Sequence, residues 1–388
     1  MRYRKFGGLG WEASALGFGV MRLPTIGGDR SNIDEPEAIK MIRYAIDHGV
    51  NYIDTAYPYH GGNSEILVGK ALDDGYREKV HLATKMPVGR IDSTADLDRI
   101  FGEQLGKLQT DHIDCYLLHG LSRDRWVKTQ DLNVLEWAES IKEEGRILHF
   151  GFSFHDEFEV FKDIIDGYGK WDFCQMQYNY MDTESSGRTP GTQGLKYAYS
   201  KGLGVIIMEP IAGGTLAVNP PEEVRDVWAK AETKRTPAEW ALQWGWNHPE
   251  VSVVLSGMST MQQVMENIES ASQSGPGTLT EEDLELFSKV GDVYRSYGFI
   301  GCTGCRYCMP CPEGVAIPEI LALYNEYYTK RGDSDAEQEA KNKYTREITA
   351  ENGAKNCAKC GQCEEECPQE LPIRNLVARA ARIFERSE

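Results

Sequence analysis

Short apolar segments recur along the chain and alternate with longer segments of helical periodicity, in which apolar residues stand three or four apart. The intervening helical segments include Asp131–Glu144, Asp156–Tyr168 and Thr236–Asn247. The strand-like segments are Leu16–Val20, Asn51–Ile53, His81–Thr84, Ile113–Leu118, Leu148–Gly151, Phe173–Gln177, Val205–Met208 and Val253–Leu255. Eight strand–helix units over roughly 250 residues match the size of one closed parallel barrel. The sequence therefore predicts an α/β fold with a (β/α)8 TIM barrel.

Polar side chains that could take part in catalysis lie at three of these strand ends. Asp54 follows the second strand and is separated from Tyr59 by a turn around Pro58, while Lys85 and His119 end the third and fourth strands. Each has an ordinary interpretation alone, since an aspartate at a strand end often caps a turn. A lysine buried without a partner is costly, however, and the carboxyl ends of barrel strands meet at one face. Together the four residues predict a reductase site.

The motifs around these residues resemble those of the aldo-keto reductase family over residues 1 to about 270. The matching segments are Tyr3-Arg-Lys-Phe-Gly, Ser14-Ala-Leu-Gly-Phe-Gly19, Asp54-Thr-Ala with Tyr59, Ser64-Glu65, Thr84-Lys85 and Leu118-His119. The resemblance implies hydride transfer from a nicotinamide to a carbonyl carbon, with Tyr59 as general acid. A free tyrosine has a pKa of about 10, and a nearby Lys85 ammonium favours the phenolate by roughly 1–3 units. Asp54 would keep Lys85 charged, and His119 would orient the carbonyl oxygen.

The same resemblance assigns nucleotide contacts. Residues at the positions of Ser153 and Gln175 hold the nicotinamide carboxamide, and those at Glu266 and Asn267 lie near the adenine end. Met208 stands where the family has an aromatic ring that stacks on the nicotinamide.

Two further segments bear on the nucleotide phosphates. The segment Glu209–Gly214 contains small residues, including Gly213, that let a backbone approach a phosphate; a plain surface loop is the alternative. The segment Val251–Ser270 contains no Lys or Arg, and Gly257 and Gln263 stand where NADP-preferring members place basic residues. We therefore expect NADH rather than NADPH.

Eight of the ten cysteines lie in two tight runs near the carboxyl end of the chain. The ligand candidates are Cys302, Cys305, Cys308, Cys311, Cys357, Cys360, Cys363 and Cys367. Disulfides are rare in cytosolic proteins, and three cysteines at two-residue gaps with a fourth before proline are the signature of iron–sulfur ligation. The second run matches this pattern in full, and the first is one residue short before Cys311. We expect two [4Fe-4S] clusters, with a zinc site or a single cluster as alternatives.

In two-cluster ferredoxins the fourth cysteine of each run ligates the other cluster. By that rule one ligand set is Cys302, Cys305, Cys308 and Cys367, and the other is Cys357, Cys360, Cys363 and Cys311. Between the runs, Ile317–Lys330 and Asp335–Ala350 have helical patterns, the second almost without large apolar residues and therefore solvated. This region resembles the α-helical ferredoxin-like domain that is fused to other oxidoreductases.

Domain boundaries follow from a change of composition after the eighth strand. Ser270–Thr278 is rich in Ser and Gly, and Thr280 with Asp283 three residues later starts a helix by a capping-box pattern. We expect a barrel domain over 1–272, a linker and helix over 273–300, and the cluster domain over 301–388.

Charge limits the partners of the chain. Its 388 residues carry 42 Lys and Arg against 60 Asp and Glu, a net charge of −18, which disfavours nucleic acid and anionic membranes. No apolar run reaches the ~18 residues of a membrane helix, and the N-terminal residues lack the apolar segment of a signal peptide. We expect a soluble cytoplasmic protein.

The clusters complicate the functional interpretation, because a hydride carries two electrons and a cluster passes one. No flavin fingerprint is found, since Gly17 and Gly19 lack the third glycine of a dinucleotide motif, so a flavin is not indicated. The first hypothesis is a carbonyl reductase or alcohol dehydrogenase whose clusters exchange electrons with ferredoxin or another redox partner. The second is an electron-transfer or redox-sensing component whose barrel binds nucleotide without turnover. In the third the clusters are structural. The small-molecule carbonyl or alcohol substrate is left open.

Overall fold

Eight parallel strands close into a barrel in this computed structural model, which describes residues 1–330 and 334–385. The strands of the described chain are β1 (Tyr3–Lys5), β2 (Glu12–Ser14), β3 (Leu16–Gly19), β4 (Tyr52–Asp54), β5 (His81–Met86), β6 (Ile113–Leu121), β7 (Ile147–Phe154), β8 (Phe173–Gln177), β9 (Gly204–Met208) and β10 (Val253–Gly257). Strands β3 to β10 follow one another around the barrel, and β10 closes it by pairing with both β9 and β3. The predicted barrel is confirmed, strand by strand.

The antiparallel pair β1–β2 packs at the amino-terminal end of the barrel. Phe6, in the turn between the two strands, is fully buried and stacks on Trp11 and Tyr52 at centroid distances of 4.4 and 5.9 Å. It belongs to an apolar cluster that includes Leu117 and Ile206 of the barrel strands. Burial of aromatic and aliphatic surface stabilises this end of the barrel and leaves the carboxyl ends of the strands for polar side chains.

Helices follow the strands, and side chains cap the starts of some of them. They are α1 (Glu35–Asp47), α2 (Ser64–Ala71), α3 (Thr94–Leu108), α4 (Arg123–Asp131), α5 (Val134–Glu143), α6 (Phe158–Tyr168), α7 (Gly191–Ser200), α8 (Glu222–Trp228), α9 (Pro237–Trp246), α10 (Met261–Ser272), α11 (Glu281–Tyr297), α12 (Ile317–Thr329), α13 (Ser334–Glu347), α14 (Gln362–Glu365) and α15 (Ile373–Phe384). Ser93 and Asp96 form a capping box at α3, as do Thr280 and Asp283 at α11. Among the described residues, no helix is both long enough and apolar enough to cross a membrane.

The contacts divide the chain into two compact units. The first consists of Met1–Pro210 with Glu239–Leu279 and contains the barrel, and the second consists of Ile211–Ala238 with the chain from Thr280 onward. The second unit therefore includes α8, which packs on α11 through Trp228 and Phe287 at a ring distance of 5.0 Å.

The carboxyl-terminal part of the second unit is helical, as predicted. Its core consists of apolar residues of α12 and α15, among them Ile320 and Val377, both fully buried. Helix α13 is not wholly solvated, because Tyr344 is buried and stacks on Phe384 of α15 at 4.4 Å. One aromatic residue is enough to fix a polar helix to the core that adjoins the cysteine runs.

Candidate active site and cysteine centre

The barrel brings the four predicted catalytic residues to one place. Asp54 ends β4, Lys85 and His119 lie near the carboxyl ends of β5 and β6, and Tyr59 begins the short 3-10 turn Tyr59–Gly62. Lys85 Nζ lies 5.1 Å from the centroid of the Tyr59 ring. The His119 ring meets the Tyr59 ring edge-on, with centroids 6.0 Å apart. Parallel strands of a barrel align their carboxyl ends, which is why residues so far apart in sequence converge.

Asp54 and Lys85 form a buried ion pair at the base of this site. Lys85 Nζ donates to both carboxylate oxygens of Asp54 and to the carbonyl oxygen of Thr55, each at 2.7 Å. Burial raises the pKa of Asp54 and lowers that of Lys85, and the attraction between the two charges opposes both shifts. A buried charge without such a partner would cost several kcal/mol. The pair therefore holds the Lys85 ammonium beneath Tyr59.

His119 is surrounded by protein atoms and positive charge, although it keeps some accessible surface. Burial lowers its pKa well below the ordinary value, and the charges of Lys85, Arg125, His155 and Arg90 lower it further. The imidazole is therefore neutral near pH 7 and keeps one N–H donor.

A second carboxylate, Glu65 of α2, lies behind Lys85. It is fully buried and accepts hydrogen bonds from Thr84 Oγ1 and Gln104 Nε2, both at 2.7 Å, and lies 3.5 Å from Lys107 Nζ. Gln104 Nε2 also donates to the carbonyl oxygen of Lys85 at 3.0 Å. The sequence motif contained Glu65, but its role was not predicted. The sequence feature that could have indicated this role is a glutamate on the buried face of the short helix α2.

The residues predicted to hold the nicotinamide lie on adjacent strands. Ser153 of β7 and Gln175 of β8 are Cα partners in the sheet, and Gln175 Nε2 lies 3.3 Å from the sulfur of Met208. Ser153 Oγ accepts a hydrogen bond from the Gly120 amide at 2.7 Å. Gln175 Oε1 is buried and has no hydrogen-bond partner in the described chain. An unpaired buried acceptor is costly, and a carboxamide N–H would satisfy it, so these residues fit a nicotinamide.

The segment Glu209–Gly214 is divided between the two units. Glu209 belongs to the first, where its carbonyl oxygen accepts a hydrogen bond from Asn179 Nδ2 at 3.1 Å. Gly213 belongs to the second and has a φ of +66°. A Cβ at Gly213 would lie 2.4 Å from backbone atoms of Thr303, between the first two cysteines. This close approach is a structural reason for glycine here, and its nucleotide role stays a prediction.

The residues predicted near the adenine lie in and after β10. Gln263 Oε1 accepts from the Ser259 amide at 2.8 Å, Asn267 Nδ2 donates to Ser256 Oγ at 3.0 Å, and Glu266 is exposed. Gly257 ends β10, and a Cβ there would lie 2.6 Å from Cγ of Arg22. Arg22 is a cation that sequence reasoning did not place here.

The cysteines of the second unit group by spatial proximity as well as by sequence. Burial raises the pKa of Cys308 to about 12, and the thiols of Cys305, Cys302, Cys367 and Cys363 contribute in that order. Burial, Glu364, Cys357 and Cys360 raise the pKa of Cys363 to about 11. Cys367 thus lies near the first run. A soft, thiol-only donor set of this kind fits iron–sulfur ligation.

The arrangement of these thiols differs from that of a site for a single metal ion. Within the ranges the structure describes, no group of three or more His, Cys, Asp or Glu side chains is placed to hold one metal ion. In a cluster each cysteine ligates its own iron, so the thiols need not converge on one point. None of the ten cysteines, all of which lie in the described ranges, forms a disulfide, and Cys115 and Cys174 are buried in the barrel strands.

Family models match both parts of the chain. The model described as the aldo/keto reductase family matches residues 15–290, and the model described as a 4Fe-4S dicluster domain matches residues 299–371. These matches cover the barrel and the cysteine runs, respectively.

Curated relatives cover most of the chain. The uncharacterized oxidoreductase YqkF of Bacillus subtilis (strain 168) is 27% identical in an alignment of 331 residues that covers 76% of this chain and 99% of the relative. The L-galactose dehydrogenase of Arabidopsis thaliana is 28% identical in an alignment of 306 residues that covers 72% of this chain and 91% of that protein.

Solved structures share the fold. The aldo-keto reductase AKR11C1 from Bacillus halodurans, in its holo form, is 30% identical with a TM-score of 0.62 and covers 75% of this chain and 96% of its own. An aldo-keto reductase from Klebsiella pneumoniae in complex with NADPH is 24% identical with a TM-score of 0.61 and covers 75% of this chain and 95% of its own.

Proposed function

Because the chain belongs to the aldo/keto reductase family, we propose that it is an NAD(P)H-dependent oxidoreductase that reduces an aldehyde or ketone to an alcohol, or catalyses the reverse oxidation. The observation that supports this most is the convergence of Tyr59, His119 and the Asp54–Lys85 ion pair at one end of the barrel. Relatives named as an oxidoreductase and a dehydrogenase support the reaction class.

The chemistry follows from the positions of the side chains. Bound nicotinamide supplies a hydride, the electron pair and one hydrogen, to the carbonyl carbon. Tyr59 donates the second hydrogen as a proton to the oxygen, so the carbonyl becomes an alcohol with balanced charge. The neutral His119 donates a hydrogen bond to that oxygen and orients it. The Lys85 ammonium stabilises the phenolate that Tyr59 leaves behind, by the attraction of opposite charges.

Ser153 and Gln175 would hold the nicotinamide, because Gln175 offers the unpaired acceptor that a carboxamide fills. The NADPH in the Klebsiella pneumoniae structure supports a nicotinamide nucleotide in general. The preference for NADH stays a prediction, and Arg22 beside Gly257 is a cation that could favour the 2′-phosphate of NADPH. Dissociation constants for both nucleotides, measured for the wild type and for Arg22→Gln, decide between them.

We further propose that the second unit binds two [4Fe-4S] clusters, with Cys367 completing the first set and Cys311 the second. The proximity of Cys367 to Cys308 supports the first set, and the dicluster family model supports the presence of clusters. The place of Cys311 follows from the spacing rule. The clusters would pass single electrons to or from a ferredoxin or another redox protein. A cytoplasmic location suits a chain whose ten cysteines form no disulfide in the described structure, because a reducing compartment keeps thiols reduced.

Carbonyl turnover with Tyr59→Phe tests the proposed reaction. We expect carbonyl reduction to fall roughly 10²–10⁴-fold because the proton donor is lost, while nucleotide affinity stays close to the wild-type value. Tyr57→Phe is the matched control, since Tyr57 donates to Glu103 at the surface. If Tyr59→Phe keeps more than about a tenth of the activity, Tyr59 is not the acid. A wild type that reduces no carbonyl would favour the electron-transfer alternative.

Iron analysis of Cys305→Ser and Cys360→Ser tests the clusters. Anaerobically purified wild type should hold roughly eight irons and eight sulfides, and each variant roughly four, because one ligand set is broken. Cys174→Ala, which changes a buried thiol of β8, should leave the iron content unchanged. Equal iron in the wild type and both ligand variants would contradict the two-cluster assignment.

A further inference from the structure

Two arginines and a histidine lie at the strand ends beside His119 and have no part in the chemistry described so far. Arg90 ends the 3-10 turn Val88–Arg90 that follows β5. Arg125 lies in the first turn of α4, after β6, and His155 directly follows β7. The charges of Arg125, His155 and Arg90 all reach His119, where they lower its pKa in addition to burial and Lys85. The three residues therefore lie near His119.

The position of Arg125 is set by the backbone next to His119. Its Nη1 donates to the carbonyl oxygen of Gly120 at 2.9 Å. Gly120 has a φ of +64°, and a Cβ there would lie 2.7 Å from the same Nη1. A Cβ at Gly89 would lie 3.7 Å from Nη2. The guanidinium is thus held between the turn that follows β5 and the end of β6, where Gly120 directly follows His119.

In the part of the chain that the structure describes, neither Arg90 nor Arg125 forms an ion pair, although the chain carries a net charge of −18. Arg123, two residues from Arg125, lies 3.9 Å from Glu157. His155 Nδ1 is buried with no hydrogen-bond partner among the described residues, and burial and Arg125 lower the pKa of His155 to about 4.

The side chains that act most strongly on His119 from the neighbouring elements are basic. They are Lys85 of β5, Arg90 of the turn, Arg125 of α4 and His155 after β7. Of these, Lys85 is neutralised by Asp54. Arginine binds carboxylate and phosphate through its planar pair of N–H groups. An anion at this place would pair with charges that the protein leaves uncompensated, and His155 Nδ1 is one further polar atom that could bond it.

We propose that the substrate is a carbonyl compound with an anionic group, a carboxylate or a phosphate, and that Arg125 and Arg90 bind this group. The inference rests on the proposed function and names the substrate class of the same site. The predicted nucleotide residues come from β7 to β10 and the segments after them, whereas the two arginines come from the segments after β5 and β6. Nucleotide and anion are therefore bound by different segments, with Tyr59 and His119 available to the carbonyl.

Matched substrate pairs test the proposal with the intact enzyme. One pair is succinic semialdehyde and its methyl ester, and the other is glyceraldehyde 3-phosphate and glyceraldehyde. We expect kcat/KM to be at least about tenfold higher for the anionic member of one pair, about 1.4 kcal/mol, with a preference that weakens as salt increases. The pair that shows the preference distinguishes carboxylate from phosphate. Equal or better turnover of both neutral members would overturn the proposal.

Arg125→Gln and Arg90→Gln test whether these two arginines cause the preference for the anionic substrates. Each should lower the ratio of anionic to neutral kcat/KM towards one, while Arg123→Gln should keep the wild-type ratio. A preference that survives in both Arg125→Gln and Arg90→Gln would overturn the assignment to these residues.

A binding measurement separates this inference from the reaction. Calorimetric titration of the intact chain with succinate and with inorganic phosphate should show one anion bound, at least tenfold more weakly by Arg125→Gln. That result would support the anion site even if no carbonyl were reduced. A lack of carbonyl reduction would overturn only the proposed function. Turnover of carbonyls together with no anion binding and no anionic preference would overturn only the anion site.

Discussion

At the scale of single residues, the site depends on how its buried charges are balanced. Lys85 donates at 2.7 Å to both carboxylate oxygens of Asp54 and to the Thr55 carbonyl. The charge of Glu65 also raises the pKa of Lys85, against the effect of burial. Two carboxylates thus favour the ammonium form of Lys85. Asp54 does so through direct hydrogen bonds, and Glu65 does so through its charge. Glu65 is a positioning residue, because it acts on Lys85 through its charge and through Gln104.

Glu65→Gln tests this role. The amide has nearly the same shape but carries no charge, and its NH2 group would face Thr84, Gln104 and Lys107, which are donors. We expect unfolding free energy to fall by about 1–3 kcal/mol, the cost of leaving buried polar groups unpaired. We also expect the basic limb of the pH profile of carbonyl reduction to move to lower pH, because Lys85 loses a charge that raises its pKa.

Urea unfolding and pH profiles of kcat, measured together, separate the two effects. Glu37→Gln, which changes a glutamate 3.6 Å from the surface residue Lys40, is the control and should change neither. A Glu65→Gln enzyme that is less stable but has the wild-type pH profile would show that Glu65 has a purely structural role.

At the scale of elements, the loop after β9 connects two parts of the chain that differ in chemistry. The loop begins at Glu209, next to the strand end with Met208, and from Ile211 onward it packs within the unit that contains the cysteines. Within that unit Gly213 meets the Thr303 backbone, and Tyr294 donates to the Thr215 carbonyl at 3.3 Å. The position of the Cys302–Cys305 segment therefore depends on this loop.

Gly213→Ala should loosen the first cluster. A Cβ at 2.4 Å from backbone atoms cannot be accommodated without movement of Thr303, and a left-handed conformation costs a residue with a Cβ roughly 1–2 kcal/mol. We expect faster loss of iron to a chelator under anaerobic conditions and a lower melting temperature.

Gly277→Ala is the matched control. Gly277 has nearly the same φ, +67°, with no atom within 4 Å of a Cβ, so it shares the backbone strain without the contact. Iron loss at the same rate in both variants would contradict a role for the Gly213–Thr303 contact.

At the scale of the whole molecule, the histidines predict the response to acid. Six of the eight histidines have a pKa below the ordinary value, in each case with burial as the largest cause. Because the unfolded chain binds protons to these residues at about pH 6.5 and the folded chain does not, unfolding takes up protons below that pH. The stabilising contribution of these neutral histidines is therefore complete above about pH 6.5. It decreases as the pH falls towards the pKa values of the histidines in the folded chain, which is about 4 for His155.

Anaerobic urea unfolding at a series of pH values between 7.5 and 4.5 measures this loss. Each such histidine contributes a slope of up to about 1.4 kcal/mol per pH unit. His155→Gln should have a shallower pH dependence than the wild type, and His48→Gln, an exposed histidine, should keep the wild-type slope. A slope that is unchanged in His155→Gln would contradict a depressed pKa at this residue.

Features of the site that depend on local spacing were predicted from the sequence. The strand and helix periods predicted the barrel, because an alternating apolar pattern records which faces are buried. Asp54, Lys85 and His119 stand at strand ends, and the barrel has one face for all such ends, so their convergence followed from position alone. The cysteine runs were recognisable for the same reason, since their ligand spacing is a local property of the chain.

Contacts between distant segments came only from the tertiary structure. Glu65 meets Gln104, Arg22 meets Gly257, Gly213 meets Thr303, and Arg125 lies between the turn after β5 and the end of β6. No spacing rule pairs such residues, because each side chain reaches its partner through the packing of separate elements. Whether a charged side chain has an ion-pair partner is likewise a property of the tertiary structure. The sequence does not distinguish Lys85 from Arg90 and Arg125. Packing pairs Lys85 with Asp54 and leaves both arginines without an ion pair in the described residues.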